Sequence, residues 1–157
     1  MIRTATPEDM PAVLELVREL AIYEKAGHEV RTTVEQMVRD GFGEHPIFGC
    51  FVAEAQGKVV GTAIWYFRYS TWKGKRLWLE DIVVTQEHRG AGYGKQLFLE
   101  VLAHSLRENC TGVMWQVLDW NQPAIEFYEH HGSRLDGEWI NCHLESAQIP
   151  GLLQSKS

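Results

Sequence analysis

The sequence predicts a mixed α/β (α+β) fold, a central β-sheet with helices on both faces. Three observations predict it. Strand-like and helix-like stretches follow one another in the order β-α-α-β-β-β-α-β-α-β. A glycine-rich turn joins a strand to an amphipathic helix between Leu77 and Lys95. A chain of 157 residues, 45% hydrophobic, is long enough to bury one proper core. No linker, repeat or low-complexity stretch divides it, so a single domain over 1–157 is expected.

Each element has its own signal. Ile2 to Ala5 is a short first or edge strand. Thr6-Pro7-Glu8-Asp9 opens a helix, with a capping hydroxyl, a proline at the first helical position and two acids at the positive end. Met10, Val13, Leu14, Val17, Leu20 and Ala21 repeat at helical spacing, and the helix stops near Tyr23-Glu24. Thr32-Thr33-Val34-Glu35 starts a second helix of the capping-box type that stops near Gly41 or Gly43. Phe48–Ala55 and Val59–Tyr69, rich in β-branched and aromatic residues, form a hairpin around Gln56-Gly57-Lys58. Arg76–Thr85 is the central strand. The next helix carries Leu97, Phe98, Val101, Leu102 and Leu106 and ends at Asn109. Gly112–Leu118 is a strand, Asn121–His131 a helix ended by Gly132, and Trp139–Leu144 a last strand. The tail from Pro150 is expected to fray.

Composition narrows the class. The net charge is −6, with no basic run dense enough to follow a nucleic-acid backbone, so no nucleic-acid partner is expected. The acidic balance suits a cationic small substrate or simple solubility. The three cysteines have no C-x-x-C spacing and read as reduced thiols of a cytosolic protein. Neither a signal peptide nor a long apolar span is visible, so a cytoplasmic location with no membrane association is expected. The adjacent His130 and His131 point about 100° apart on a helix, and no third ligand has matching spacing, so no metal site is expected. Trp65-Tyr66-Phe67 lacks basic neighbours for base stacking and suits a sheet packed on both faces or a subunit contact.

The chemistry is concentrated in Leu77–Lys95. The strand carries two adjacent carboxylates, Glu80 and Asp81, and leads into a turn that holds Arg89, Gly90, Gly92 and Gly94. Backbone N–H groups of such a turn make an anion cradle. The glycines are one residue short of a dinucleotide fingerprint. A P-loop would need a glycine where Arg89 stands and a hydroxyl where Gln96 stands. What remains is R-x-x-G-x-G, Arg89 to Gly94.

That pattern, between a strand and an amphipathic helix, resembles the pyrophosphate loop of the GNAT superfamily of acyl-CoA N-acyltransferases, and the element order is that of the GNAT fold. Further blocks resemble the diamine (spermidine/spermine) acetyltransferases, above all their thialysine N-acetyltransferase branch. These are Glu19-Leu20-Ala21 with Tyr23-Glu24, Asp40-Gly41-Phe42-Gly43, Tyr69 to Gly74, Leu79 to Ile82 and Leu118 to Gln122. The resemblance implies acetyl-CoA as donor, a small amine as acceptor and a homodimer. It implies that Ile82, Val83, Val84, Arg89, Gly90, Ala91, Gly92, Tyr93, Gly94 and Lys95, with Asn121, Pro123 and Ala124, hold coenzyme A. Tyr23 and Glu24 would line the amine channel. One departure is clear: Ser70 stands where the polyamine-specific branch has an aspartate, which favours a shorter amine or a basic amino acid. Glu138 and Trp139 are candidates to close the far end of the channel but are not assigned residue by residue, because the loop between Gly132 and Trp139 is shorter than in the polyamine enzymes.

Acetyl transfer to an amine needs a base, because an alkylammonium of pKa ~10.4 is no nucleophile at pH 7. Glu80, alone or through a water, matches the family's catalytic glutamate; by itself it would be a solvated strand carboxylate or a partner of Lys75 or Arg76. Asp81 faces the other way in a regular strand, but a bulge, typical of this strand in the GNAT fold, would bring both acids to the site. Its readings are ammonium binding and structure. Tyr128 stands where the family has its catalytic acid; otherwise it is a core aromatic. Trp72 is a turn aromatic or a cation–π wall for an ammonium. A backbone N–H near Ile82 would serve the developing oxyanion. The expected function is N-acetyl transfer from acetyl-CoA to a diamine, polyamine or thialysine-like amino acid by direct attack in a ternary complex. The alternatives are a non-catalytic acyl-CoA-binding module and a protein or peptide lysine acetyltransferase.

Overall fold

The computed structural model describes residues 1–155. The chain divides into two compact units, Met1–Leu118 and Asp119–Ser157, each described by itself.

The first unit is built on one open sheet of five strands: β1 (Ile2–Thr4), β2 (Gly49–Ala55), β3 (Lys58–Ser70), β4 (Gly74–Val84) and β5 (Val113–Met114), in that spatial order. The first four strands run antiparallel to their neighbours and β5 runs parallel to β4, so the sheet is mixed. Helices α1 (Met10–Tyr23) and α2 (Val34–Phe42) precede β2, and α3 (Tyr93–Arg107) connects β4 to β5.

Strand alternation assigns the helices to opposite faces. On β2, Cys50 and Val52 join Met10, Val13, Leu14 and Met37 in one core cluster, which places α1 and α2 on their side. Phe51, between them, turns the other way and meets the ring of His104 on α3, with centroids 5.4 Å apart. Of the predicted helical stripe of α1, Met10 and Val13 are fully buried and Leu14 nearly so, Val17, Leu20 and Ala21 are half-buried, and Leu16, outside the predicted set, is buried as well. Each such side chain contributes about 1.5–3 kcal/mol.

The helix starts behave as local chemistry requires. The Asp9 carboxylate accepts from the Thr6 N–H at 2.8 Å and pairs with Arg3 at 2.7 Å. Thr33 and Gln36 satisfy each other's backbone N–H groups at 3.2 and 2.9 Å, a reciprocal box with Gln36 as its third member.

Two strand expectations need correction. The strand predicted over Gly112–Leu118 is only Val113–Met114, because β5 pairs with β4 at Leu77 and Trp78 and no further. Beyond Trp78, β4 has a register shift, and a ladder does not continue along an edge that twists away. The strand predicted over Trp139–Leu144 does not form. No described strand pairs with it, and Trp139, Ile140 and Leu144 are all exposed. An apolar, β-prone segment becomes a strand only when a partner satisfies its backbone groups.

The second unit holds α4 (Gln122–His130) and α5 (Ile149–Gln154). The latter corrects the expected frayed tail: Pro150 sits in its first turn, where a missing N–H costs nothing.

Candidate active site

The site in the first unit begins with a fault in a ladder. Ile64 pairs with Asp81 and the next residue, Trp65, pairs with Leu79, so Glu80 is the extra residue of a β-bulge. The expected bulge is therefore present in β4. It breaks the strict alternation that would send Glu80 and Asp81 to opposite faces. Glu80 is exposed, and Asp81 is only partly so. Burial, then the neighbouring Glu80 and Glu24 carboxylates, push the Asp81 carboxyl up to about 6.

Glu24 comes from a different element. It caps the C-terminus of α1, where the helix dipole disfavours a negative charge, and burial raises its carboxyl too. Two carboxylates from two elements thus act on Asp81, and among the described residues no cation offsets them. In a folded chain such a group is costly unless a positive ligand completes it.

The anion cradle lies just after these acids on the chain. Gly90 and Gly92 have φ of +81° and +85°, conformations that only glycine adopts readily. Gly92 is the N-cap of α3 and offers no side chain, so the first-turn N–H groups of Tyr93, Gly94 and Lys95 have no side-chain cap. A Cβ on Gly90 would meet nothing within 4 Å, leaving open room at the turn. Beyond Trp78, where β5 no longer pairs, the edge of β4 that carries Ile82, Val83 and Val84 has no strand neighbour among the described residues. An uncapped helix N-terminus with an open turn fits a phosphate-bearing donor, and a free strand edge fits an extended amide-containing arm.

Arg89 is held from two sides. Its Nε donates to the Val84 carbonyl at 3.0 Å, and its terminal nitrogen donates to Glu19 at 3.2 Å. Its guanidinium also lies 5.9 Å from the centre of the Tyr23 ring. Cradle and acids are therefore linked through the end of α1.

One expected residue of the first unit lies apart from the acids. Trp72 is 84% exposed at the tip of the β3–β4 hairpin. The run of β4 from Gly74 to Glu80 puts it on the order of 20 Å from the acids. Asn121 occupies the N-cap position of α4 without making a side-chain cap bond, and Pro123 lies in the first turn. Ala124 and Tyr128 follow on α4, with the Tyr128 ring set edge-on to Phe127 at 5.5 Å. These four belong to the second unit.

Sequence reasoning missed three residues. Tyr66 and Trp78 both donate to Glu80 Oε2, at 3.3 and 2.7 Å. Glu19 accepts from the Gln86 N–H at 2.9 Å as well as from Arg89. The i, i+2 spacing of Trp78 and Glu80 was the available signal for one of them.

An anion cradle and a cluster of carboxylates on one bulged strand define a group-transfer enzyme with an anionic donor and a cationic acceptor. Comparison with known proteins makes the class specific: residues 11–132 match the model of the Acetyltransferase (GNAT) family, and the chain belongs to that family. It is an acetyl-CoA-dependent acetyltransferase. It is 42% identical over 142 residues to a thialysine N-epsilon-acetyltransferase of Bos taurus, covering 85% of this chain and 84% of that one. It is 37% identical over 139 residues to a spermidine/spermine N(1)-acetyltransferase-like protein 1 of Homo sapiens, covering 84% of this chain and 20% of that longer protein. Among solved structures, an integron cassette protein from the mobile metagenome of V. cholerae matches with a TM-score of 0.78 at 22% identity, over 99% of this chain and 98% of that one, which supports the fold.

Proposed function

We propose that this chain moves the acetyl group of acetyl-CoA to a primary amine of a small cationic acceptor, a diamine, polyamine or thialysine-like basic amino acid. The observation that carries the reading is the convergence of Glu80, Asp81 and Glu24, with burial and the two neighbouring carboxylates pushing Asp81 up to about 6. An ammonium group there would offset the repulsion among the carboxylates and favour the ionised form of Asp81. Relatives named for thialysine and for spermidine/spermine support the acceptor class.

Acetyl-CoA supplies the activated acetyl thioester. The N–H groups of Tyr93, Gly94 and Lys95, with Arg89, Gly90, Ala91 and Gly92, hold its phosphates, and Ile82, Val83 and Val84 hold its arm along the free edge of β4. Asn121, Pro123 and Ala124 are assigned to the same donor on the family pattern. Asp81, Glu24 and Tyr23 bind the acceptor. Glu80 takes the proton that makes its amine nucleophilic. The N–H near Ile82 stabilises the oxyanion, and Tyr128 supplies a proton to the leaving sulfur, on the family pattern. The family model spans residues 11–132, which supports one functional domain. A homodimer in the cytoplasm without nucleic acid follows from the resemblance, from the net charge of −6 and from the reduced-thiol reading. No described helix is long and apolar enough to cross a membrane.

The test is thiol release from acetyl-CoA with putrescine, 1,3-diaminopropane, spermidine, spermine, lysine, thialysine and a lysine peptide, beside Glu80→Gln and Tyr128→Phe. Turnover of one amine class, lost in both variants, is expected. Turnover of the peptide alone would overturn the small-acceptor reading.

A further inference from the structure

Glu80 is the residue most in need of support. As the extra residue of a bulge it has no ladder partner opposite it, and its side chain is exposed. A glutamate in that setting has three rotors and a large entropy to lose before it can meet a proton in one geometry.

The fold supplies the support from the same face. Trp78 lies two residues earlier on β4, and its indole Nε1–H donates to Glu80 Oε2 at 2.7 Å. Tyr66 stands directly across from Trp78 on β3, with ring centres 6.4 Å apart, and its hydroxyl donates to the same oxygen at 3.3 Å. The indole is itself held: the Arg68 guanidinium lies 5.4 Å from its ring centre, and Arg68 reaches on to the Met114 sulfur of β5 at 3.8 Å. Both donors engage Oε2. Oε1 has no hydrogen-bond partner among the described residues and is free to receive a proton.

We propose that Trp78 is a positioning residue for Glu80: its indole N–H, backed by Tyr66, pins one carboxylate oxygen and presents the other to the acceptor amine. The inference rests on the assignment of Glu80 as base. Glu80 acts on the neighbouring Asp81, on which Glu24 of α1 also acts, and on Tyr66 of β3, on which Arg68 also acts.

The experiment compares Trp78→Phe, which keeps a ring and removes the N–H, with Tyr66→Phe, Glu80→Gln and the double variant Trp78→Phe/Glu80→Gln. Trp78→Phe is expected to lower kcat roughly tenfold, the scale of one hydrogen bond to a charged group, with KM for acetyl-CoA unchanged. Tyr66→Phe, at the longer distance, is expected to do less. In the Glu80→Gln background Trp78→Phe is expected to cost nothing further. A second readout does not depend on turnover. The Trp78 indole N–H resonance, assigned by its loss in Trp78→Phe, is expected to shift when Glu80→Gln replaces its charged acceptor with a neutral one. A wild type inactive on every amine would overturn the functional reading while the resonance still reported on the contact. An indole signal indifferent to Glu80→Gln, or a Trp78→Phe enzyme with wild-type kcat, would overturn the positioning role.

Discussion

Glu19 on α1 holds Arg89 of the glycine turn at 3.2 Å, across a sequence separation of seventy residues. The same carboxylate oxygen accepts the Gln86 N–H, so one side chain ties both ends of the segment that leads from β4 into the cradle. Glu19→Ala is therefore expected to loosen the loop and raise KM for acetyl-CoA by about five- to tenfold, the worth of roughly 1 kcal/mol in a half-exposed contact. KM for the amine and thermal stability should change little. Steady-state kinetics with each substrate varied in turn check this, and an unchanged acetyl-CoA KM would deny the tie a role.

Asp81→Asn is expected to separate stability from function. The carboxyl rises from 3.8 to about 6, so the folded chain binds its proton more tightly than the unfolded one. The stability this confers is fully present below the unfolded value and is lost as pH rises through about 6. The rise corresponds to about 3 kcal/mol. The amide, which never ionises, should melt on the order of 5 °C higher than the wild type at pH 8. The gap should close toward pH 4. The same variant should bind the amine at least tenfold more weakly, and melting curves beside calorimetric titration would show the opposed signs.

Acceptor affinity should itself depend on pH in the wild type. Below about 6 Asp81 is protonated and no longer attracts an ammonium, so the dissociation constant for the amine rises as pH falls. Calorimetry with coenzyme A present, over pH 5 to 8, measures it directly. Asp81→Asn should flatten the profile; a wild-type profile already flat would remove Asp81 from acceptor binding.

Gly90→Ala probes the cradle without crowding the free chain. A Cβ there meets nothing within 4 Å, yet φ is +81°. The left-handed conformation costs an alanine about 1 kcal/mol. A drop in melting temperature of a few degrees is expected from that strain alone. Any larger loss in acetyl-CoA KM than in stability reports the approach of a phosphate to the backbone. Equal losses would show that Gly90 serves only the turn.

Much of the fold was written in local signals. The apolar spacing of Met10, Val13 and Leu14 and the reciprocal capping at Thr33 each act within a few residues, and the structure contains both elements. The hairpin around Gly57 is equally local. The glycine turn could be read as an anion cradle because Gly90 and Gly92 answer a backbone requirement that no other residue meets easily.

What the sequence by itself determined was the set of elements through Asn109, the helix over Asn121–His131, the glycine turn and the pair of acids after Leu79. Tertiary structure alone decided the rest, because each remaining feature depends on residues far apart in the chain. Trp139–Leu144 has every local mark of a strand and lacks a partner, while Ile149–Gln154 has few marks of a helix and forms one. Glu24 becomes part of the acidic cluster only because α1 ends near the bulge of β4. Tyr66 and Trp78 read as sheet aromatics until β3 and β4 are set in register, which aims both of their polar atoms at one oxygen of Glu80. Periodicity reports which face a side chain occupies; a hydrogen bond between strands also requires the register, and the register is settled by the whole sheet.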